Sequence, residues 1–186
     1  MSGNMASFLL AAVVLTTSLA AAAVYYFRRS RQASGSSWQE LLGRLSVIDH
    51  SSVAQIALDA IDESGQRRTD DQAKQLDLEQ IWKLIGGLKG LELLEQNSLV
   101  LVDIACYVQQ RYPEALGAAD ELRRNAREIE WHVSRLKKAN ESGEIEGWFA
   151  NYAQNAIATY YLMTRRVLAL YEVSNLPMIG DLQKAL

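Results

Sequence analysis

"ALGAADELRRNAREIEWHVSRL", Ala115 to Leu136, carries the clearest periodicity in the chain. Ala115, Ala119, Leu122, Ala126, Ile129, Val133 and Leu136 recur at alternating steps of four and three. That spacing keeps one apolar seam along a helix, the a/d pattern of coiled coils and helical bundles. Arg123, Arg124, Arg127, Glu128, Glu130, Arg135 and Lys137 line its other faces. One helix cannot bury such a seam alone, so partner helices must flank it.

The sequence supplies them on both sides. Upstream, Ile81, Ile85, Leu88, Leu91, Leu94, Val102, Ala105 and Val108 predict a helix over about Leu76–Arg111. Tyr112-Pro113 ends it, because proline disfavours helical geometry in the residue before it. Pro113 can then open the next helix. Gly86, Gly87 and Gly90 fall inside the upstream helix. Each costs about 1 kcal/mol against alanine there, so they predict a kink or a close crossing. Downstream, "NESGE" with Gly143 predicts a turn, and a third long helix follows over about Glu144–Ser174. No charge lies between Glu146 and Arg165, but Asn151, Gln154 and Asn155 sit there. Amides are costly in hydrocarbon, so this reads as the central helix of a bundle rather than a membrane span.

Two short helical patterns precede these: Trp38, Leu41, Leu42, Leu45, then Val53, Ile56, Ala57, Ala60, Ile61. Ser51 or Ser52 is the expected cap of the second. Asp62–Gln72 is charged and holds Gly65, so it reads as a loop. Pro177 breaks the pattern before a short amphipathic tail. Only Asn97–Val108 admits a β reading, and it has no partner strand. The fold class is therefore all-α: one N-terminal transmembrane helix followed by a bundle of long antiparallel α-helices. A short helical solenoid is the alternative, but no repeat of the required period is present.

The transmembrane expectation rests on Ala6–Phe27, 22 residues without charge, Pro or Gly. A helix of that length spans about 33 Å, enough for a hydrocarbon core. Thr16, Thr17 and Ser18 can bond back to its backbone. Tyr25 and Tyr26 end it, where amphipathic rings favour the headgroup level. Arg28, Arg29 and Arg31 follow, and no Lys or Arg precedes the run. That order disfavours a cleavable signal peptide, which wants its charge first. It also predicts orientation, with residues 1–5 outside the cytoplasm, 6–27 in the membrane, 28–37 a basic flank and polar linker, and 38–186 a cytoplasmic helical domain. The lone Cys106 agrees with a reducing compartment. Ala12, Thr16 and Ala20 place small residues four apart, which permits a homo-oligomer through the span.

After Ser37, 22 acidic residues face sixteen basic ones, a net charge of −6. That disfavours nucleic acid as partner. The composition offers little chemistry either. His50 and His132 are the only histidines, too few for a di-metal carboxylate bundle, so no metal and no cofactor is expected. Asp49-His50-Ser51-Ser52 are adjacent, whereas a catalytic triad is assembled in space. Cys106 lies among apolar residues, where an inert thiol is the norm. "GGLKG" lacks the spacing and the Ser/Thr of a phosphate loop. Asn140-Glu141-Ser142 is a glycosylation sequon that matters only with the reverse orientation.

The densest aromatic and amide cluster includes Trp148, Tyr152, Asn155 and Tyr160, which read as core, as a partner surface or as a pocket. The expectation is a non-enzymatic, membrane-anchored protein-interaction module: an adaptor, scaffold or assembly factor whose partners are lipids and other proteins. A small-molecule or lipid-binding bundle using Trp148–Tyr161 is one alternative. A signal-anchored receptor of an organelle outer membrane is another. Protease added to sealed cells or organelles should leave residues 38–186 intact. Digestion without permeabilisation would reverse the topology.

Overall fold

The structure is a computed structural model of the 186-residue chain. It describes residues 8, 10–21, 24, 36–62, 65, 66, 68, 76–110, 116–173 and 178–186. The chain divides into two units, Met1–Ser36 and Ser37–Leu186. Among the described residues the fold is all-helical, with no strand.

The first unit holds α1, helical over 10–21. Thr16 Oγ1 donates to the Ala12 carbonyl at 2.9 Å, and Ser18 Oγ to that of Val14 at 2.8 Å. Thr17 Oγ1 donates to Val13 in the same manner. Among the described residues, no helix is long and apolar enough to cross a membrane. The described part of α1 accounts for about 18 Å of rise. The rest of Ala6–Phe27, and with it the flank of Tyr25, Tyr26, Arg28, Arg29 and Arg31, lies outside the described residues.

The described residues of the second unit form seven helices: α2 (Trp38–Gly43), α3 (His50–Ala60), α4 (Leu78–Ile85), α5 (Gly87–Gln109), α6 (Leu116–Ser142), α7 (Ile145–Val173) and α8 (Ile179–Ala185). The seam read in the sequence is the inner face of α6. Ala119, Leu122, Ala126, Ile129, Val133 and Leu136 are all buried. α6 packs on α5 and α7, whose Leu91, Leu94, Leu101 and Ile104, and Phe149, Ala153, Ile157 and Tyr160, are also buried.

Ion pairs on the rim fix the directions. Lys137 near the end of α6 reaches Glu92 at 3.4 Å and Glu95 at 3.1 Å near the start of α5. Arg166 late in α7 meets Glu121 early in α6 at 3.0 Å. Both pairings run antiparallel. Partial dehydration lowers the proton affinity of Lys137, but its bonds and charge pairing with Glu95 and Glu92 outweigh this and keep it firmly protonated.

The helix expected over Leu76–Arg111 is two helices. Gly86 and Gly87 have φ of +78° and +66°, and the chain turns there. The Gly86 N–H still bonds the Trp82 carbonyl, closing α4 in the left-handed manner that favours glycine. Asp77 and Gln80 cap its start reciprocally. A side chain at Gly87 would come within 2.8 Å of the Trp82 ring, and one at Gly90 would strike the Ile85 carbonyl. Gly87 and Gly90 thus have a packing reason, and Gly86 a conformational one.

α2 and α3 pack beside this core. Ser37 and Glu40 form a capping box on α2. Trp38 is buried against Tyr107 and Tyr171, at 5.8 and 5.4 Å between ring centroids. Its Nε1 has no hydrogen-bond partner, a cost of about 1–3 kcal/mol that the ring packing must offset. The expected cap of α3 is corrected. Asp49, one place before the helix, is the N-cap, and Ser51 and Ser52 donate to it. Its two oxygens together accept one backbone N–H and two hydroxyls.

Gly143 ends α6 with φ +76° and open space where a side chain would stand. It therefore serves as an internal control for Gly87. Gly143→Ala should cost about 1 kcal/mol, from backbone strain alone. Gly87→Ala adds the collision with Trp82 and should cost about 2 kcal/mol or more. Urea melts of both variants in one detergent would show it. Equal midpoints would mean that the indole moves aside freely.

Candidate functional site

The four residues singled out on α7 do not form one site. Tyr160 is fully buried, and its hydroxyl accepts from Asn97 Nδ2 at 3.4 Å. Burial pushes its proton affinity up, and the Asn97 bond only partly opposes this, leaving a pKa of about 12. It is a core residue. Trp148 is 51% exposed on the same helix, and Tyr152 and Asn155 are half-buried. Asn155 Nδ2 donates to Asn151 Oδ1 at 2.7 Å, one turn earlier. The third amide, Gln154, is buried and donates to Asp59 of α3 at 3.3 Å. Gln154 thus serves helix packing in a bundle, the Asn151–Asn155 pair lies along α7 itself, and α7 is not long and apolar enough to be a span.

Trp148 and Tyr152 instead join residues of α6. Tyr152 stacks with Trp148 at 5.8 Å and meets Trp131 edge-on at 5.5 Å. His132 lies beneath, buried, with its ring 4.9 Å from Trp131 and 5.5 Å from Tyr152. Its Nε2 is 3.8 Å from Glu128 Oε1. The Arg135 guanidinium covers the Trp131 ring at 5.3 Å from its centroid. Trp131, 48% exposed, and Trp148 thus bound a continuous aromatic face across the α6–α7 hairpin. On α4, Trp82 is 40% exposed and packs on Phe149 at 4.6 Å.

Sequence reasoning missed Trp131, Arg135 and Trp82. The signal for the first was available: Trp131 stands two places past the seam residue Ile129, on the charged side of the helix. Its ring partners come from α7, and no spacing within one helix shows them.

The residues considered for chemistry are engaged in structure. The Asp49 carboxylate accepts from the Ser51 hydroxyl at 2.6 Å, the Ser52 hydroxyl at 2.6 Å and the Ser51 N–H at 3.0 Å. The two hydroxyls, first of all, hold its pKa down at about 2. Burial pushes His50 below its ordinary value, against a weaker pull from Asp49. Arg123 of α6 donates to the Cys106 Sγ at 2.9 Å, so one positive charge stands beside the thiol. Burial still outweighs the arginine and raises the thiol's pKa, which leaves it protonated and inert. Among the described residues no three His, Cys, Asp or Glu side chains gather where they could hold a metal ion. No protein-family model, no curated protein and no solved structure matches the chain.

The start of α3 should respond to pH in two windows. His50 has a depressed pKa, so its contribution is complete above the unfolded value near 6.5 and fades as pH falls below it. Asp49 is also depressed, so its contribution is complete above about 4 and fades toward about 2. Stability measured against pH should fall through both windows. His50→Gln should flatten the upper one and Asp49→Asn the lower. A curve unchanged in both variants would assign the acid sensitivity elsewhere.

Proposed function

We propose that the chain is a membrane-anchored helical interaction module, acting as an adaptor, scaffold or assembly factor at a membrane surface. The observation that carries this reading is α1. Phe8, Leu10, Val13, Val14, Leu15, Leu19 and Val24 are 53–73% exposed, and no charged residue lies among them. In water that surface is unfavourable by roughly 25 cal/mol per Å², whereas in hydrocarbon it is at home. The hydroxyls of Thr16, Thr17 and Ser18 are satisfied by carbonyls one turn back, as a lipid setting requires. Continued over Ala6–Phe27, the helix is a single-pass anchor. The three arginines after it support a cytoplasmic side for residues 38–186.

The rest of the reading follows from how the second unit uses its polar groups. Asp49 caps a helix, and Asn97 and Tyr160 pin the core. That usage supports a role in binding rather than catalysis. A buried Tyr160 counts against a ligand pocket spanning Trp148–Tyr161. A signal-anchored receptor of an organelle outer membrane is a special case of the same reading.

Mild-detergent pull-down should compare the full-length protein with a form lacking residues 1–37. Specific partners should appear with the full chain and weaken without the anchor, since tethering raises local concentration. Leu182, which the tail pattern offers as a surface probe, is fully buried and would report on folding instead. Arg127, exposed on α6, is the better position to change. Recovery of the chain alone would defeat the adaptor reading.

A further inference from the structure

On α6, Arg124, Arg127, Arg135 and Lys138 stand seven and four residues before Trp131, and four and seven after it. At 3.6 residues per turn these spacings put all four on one outward stripe with the indole. All four are exposed. Two acidic residues share the stripe, and each faces a partner on its own helix: Asp120 the Arg123 guanidinium, Glu128 the His132 ring. The stripe is therefore basic in a unit whose net charge is −6. Beside it lie Tyr152 and Trp148 of α7, so two half-exposed indoles adjoin four cations on one side of the bundle.

We propose that this face docks on an anionic bilayer surface. Indole and phenol rings favour the headgroup region, where the apolar body and the polar N–H or O–H are both accommodated. Lysine and arginine near an anionic leaflet each add about a fivefold factor to the attraction. The Arg135 side chain over Trp131 brings both contributions to one point. The proposal rests on the membrane reading above. It takes from it one fact of chain length: residues 28–37, ten residues, reach at most about 35 Å when extended. An anchored domain is thus never far from headgroups, and a modest affinity is enough to hold it down.

The test uses the full-length chain in vesicles of brominated phosphatidylcholine, with and without about one-third phosphatidylserine. Bromine quenches only indoles at the membrane, so Trp131 and Trp148 should dim when serine lipid is present. The double substitution Arg135→Glu, Lys138→Glu leaves the buried seam untouched. It should lower the ratio of docked to free protein by about tenfold or more. Replacing Trp131 and Trp148 with phenylalanine should remove the quenched component, with helicity by circular dichroism unchanged. Quenching that ignores both serine lipid and charge reversal would overturn the proposal and leave the face to an acidic protein partner. Flotation with pure phosphatidylcholine vesicles reads the anchor by itself. Failure to float, with serine-dependent quenching retained, would sink the anchor and keep the docking face. Flotation without that quenching does the reverse.

Discussion

A single buried amide ties the second unit together. Asn97 of α5 is 2% exposed, and its Oδ1 accepts from the Ser46 N–H at 2.8 Å. Its Nδ2 returns a bond to the Ser46 carbonyl at 2.8 Å and reaches the Tyr160 hydroxyl of α7. Residues 44–49 join α2 to α3, and a peptide lying between helices has no ladder to satisfy it. Asn97 imitates one. An apolar side chain in its place would strand both polar groups of Ser46, at about 1–3 kcal/mol each. The same bond fixes where α2 delivers Trp38 and where Arg44 meets Asp103, at 2.8 Å.

The backbone break at Gly86-Gly87 does the comparable work at the start of α5, ahead of Asn97 in its middle. A continuous helix would carry Trp82 along the axis of α5. The left-handed turn swings α4 aside, so that Trp82 lies on Gly87 and against Phe149 at the start of α7. The start of α5 is thus held by a ring on a glycine and its middle by a polar clamp. Around them the buried side chains of α5, α6 and α7 are mostly apolar.

Much of this was legible because it is periodic. The six described seam residues of α6 are all buried, and the limits of α7 fall within a residue of those read from sequence. What escaped depends on non-local pairing. Gly86 and Gly87 announced a disturbance, but only the sign of φ separates a kink from a full break. Asp49 outcompeted Ser51 and Ser52 as cap because all three act together, with two donors on one acceptor. Cys106 and Arg123 are seventeen residues apart, and only the α5–α6 packing joins them. The cluster on α7 failed as a site because Trp148 and Tyr160 are twelve residues apart: three and a third turns put them on different sides of the helix.

That division of α7 also explains why the outward face of α6 matters. Helical bundles place binding or catalytic groups inside when facing helices each contribute polar side chains to a common centre. Here the buried set includes Ile129, Val133, Ile157 and Leu101, and two of the polar groups that enter it, Asn97 and Tyr160, are used to pin loops and helices. The proposed recognition is therefore placed on the surface. Charged side chains alone would give that surface solubility and little selectivity, since exposed ion pairs contribute only about 0–1 kcal/mol each. Indoles held half-open by neighbouring rings are different. They lose little side-chain freedom on docking and bring large apolar areas to the contact. Trp131 and Trp148 are held in this way by Tyr152 and His132, so the bundle presents an organised aromatic surface where the basic stripe also lies.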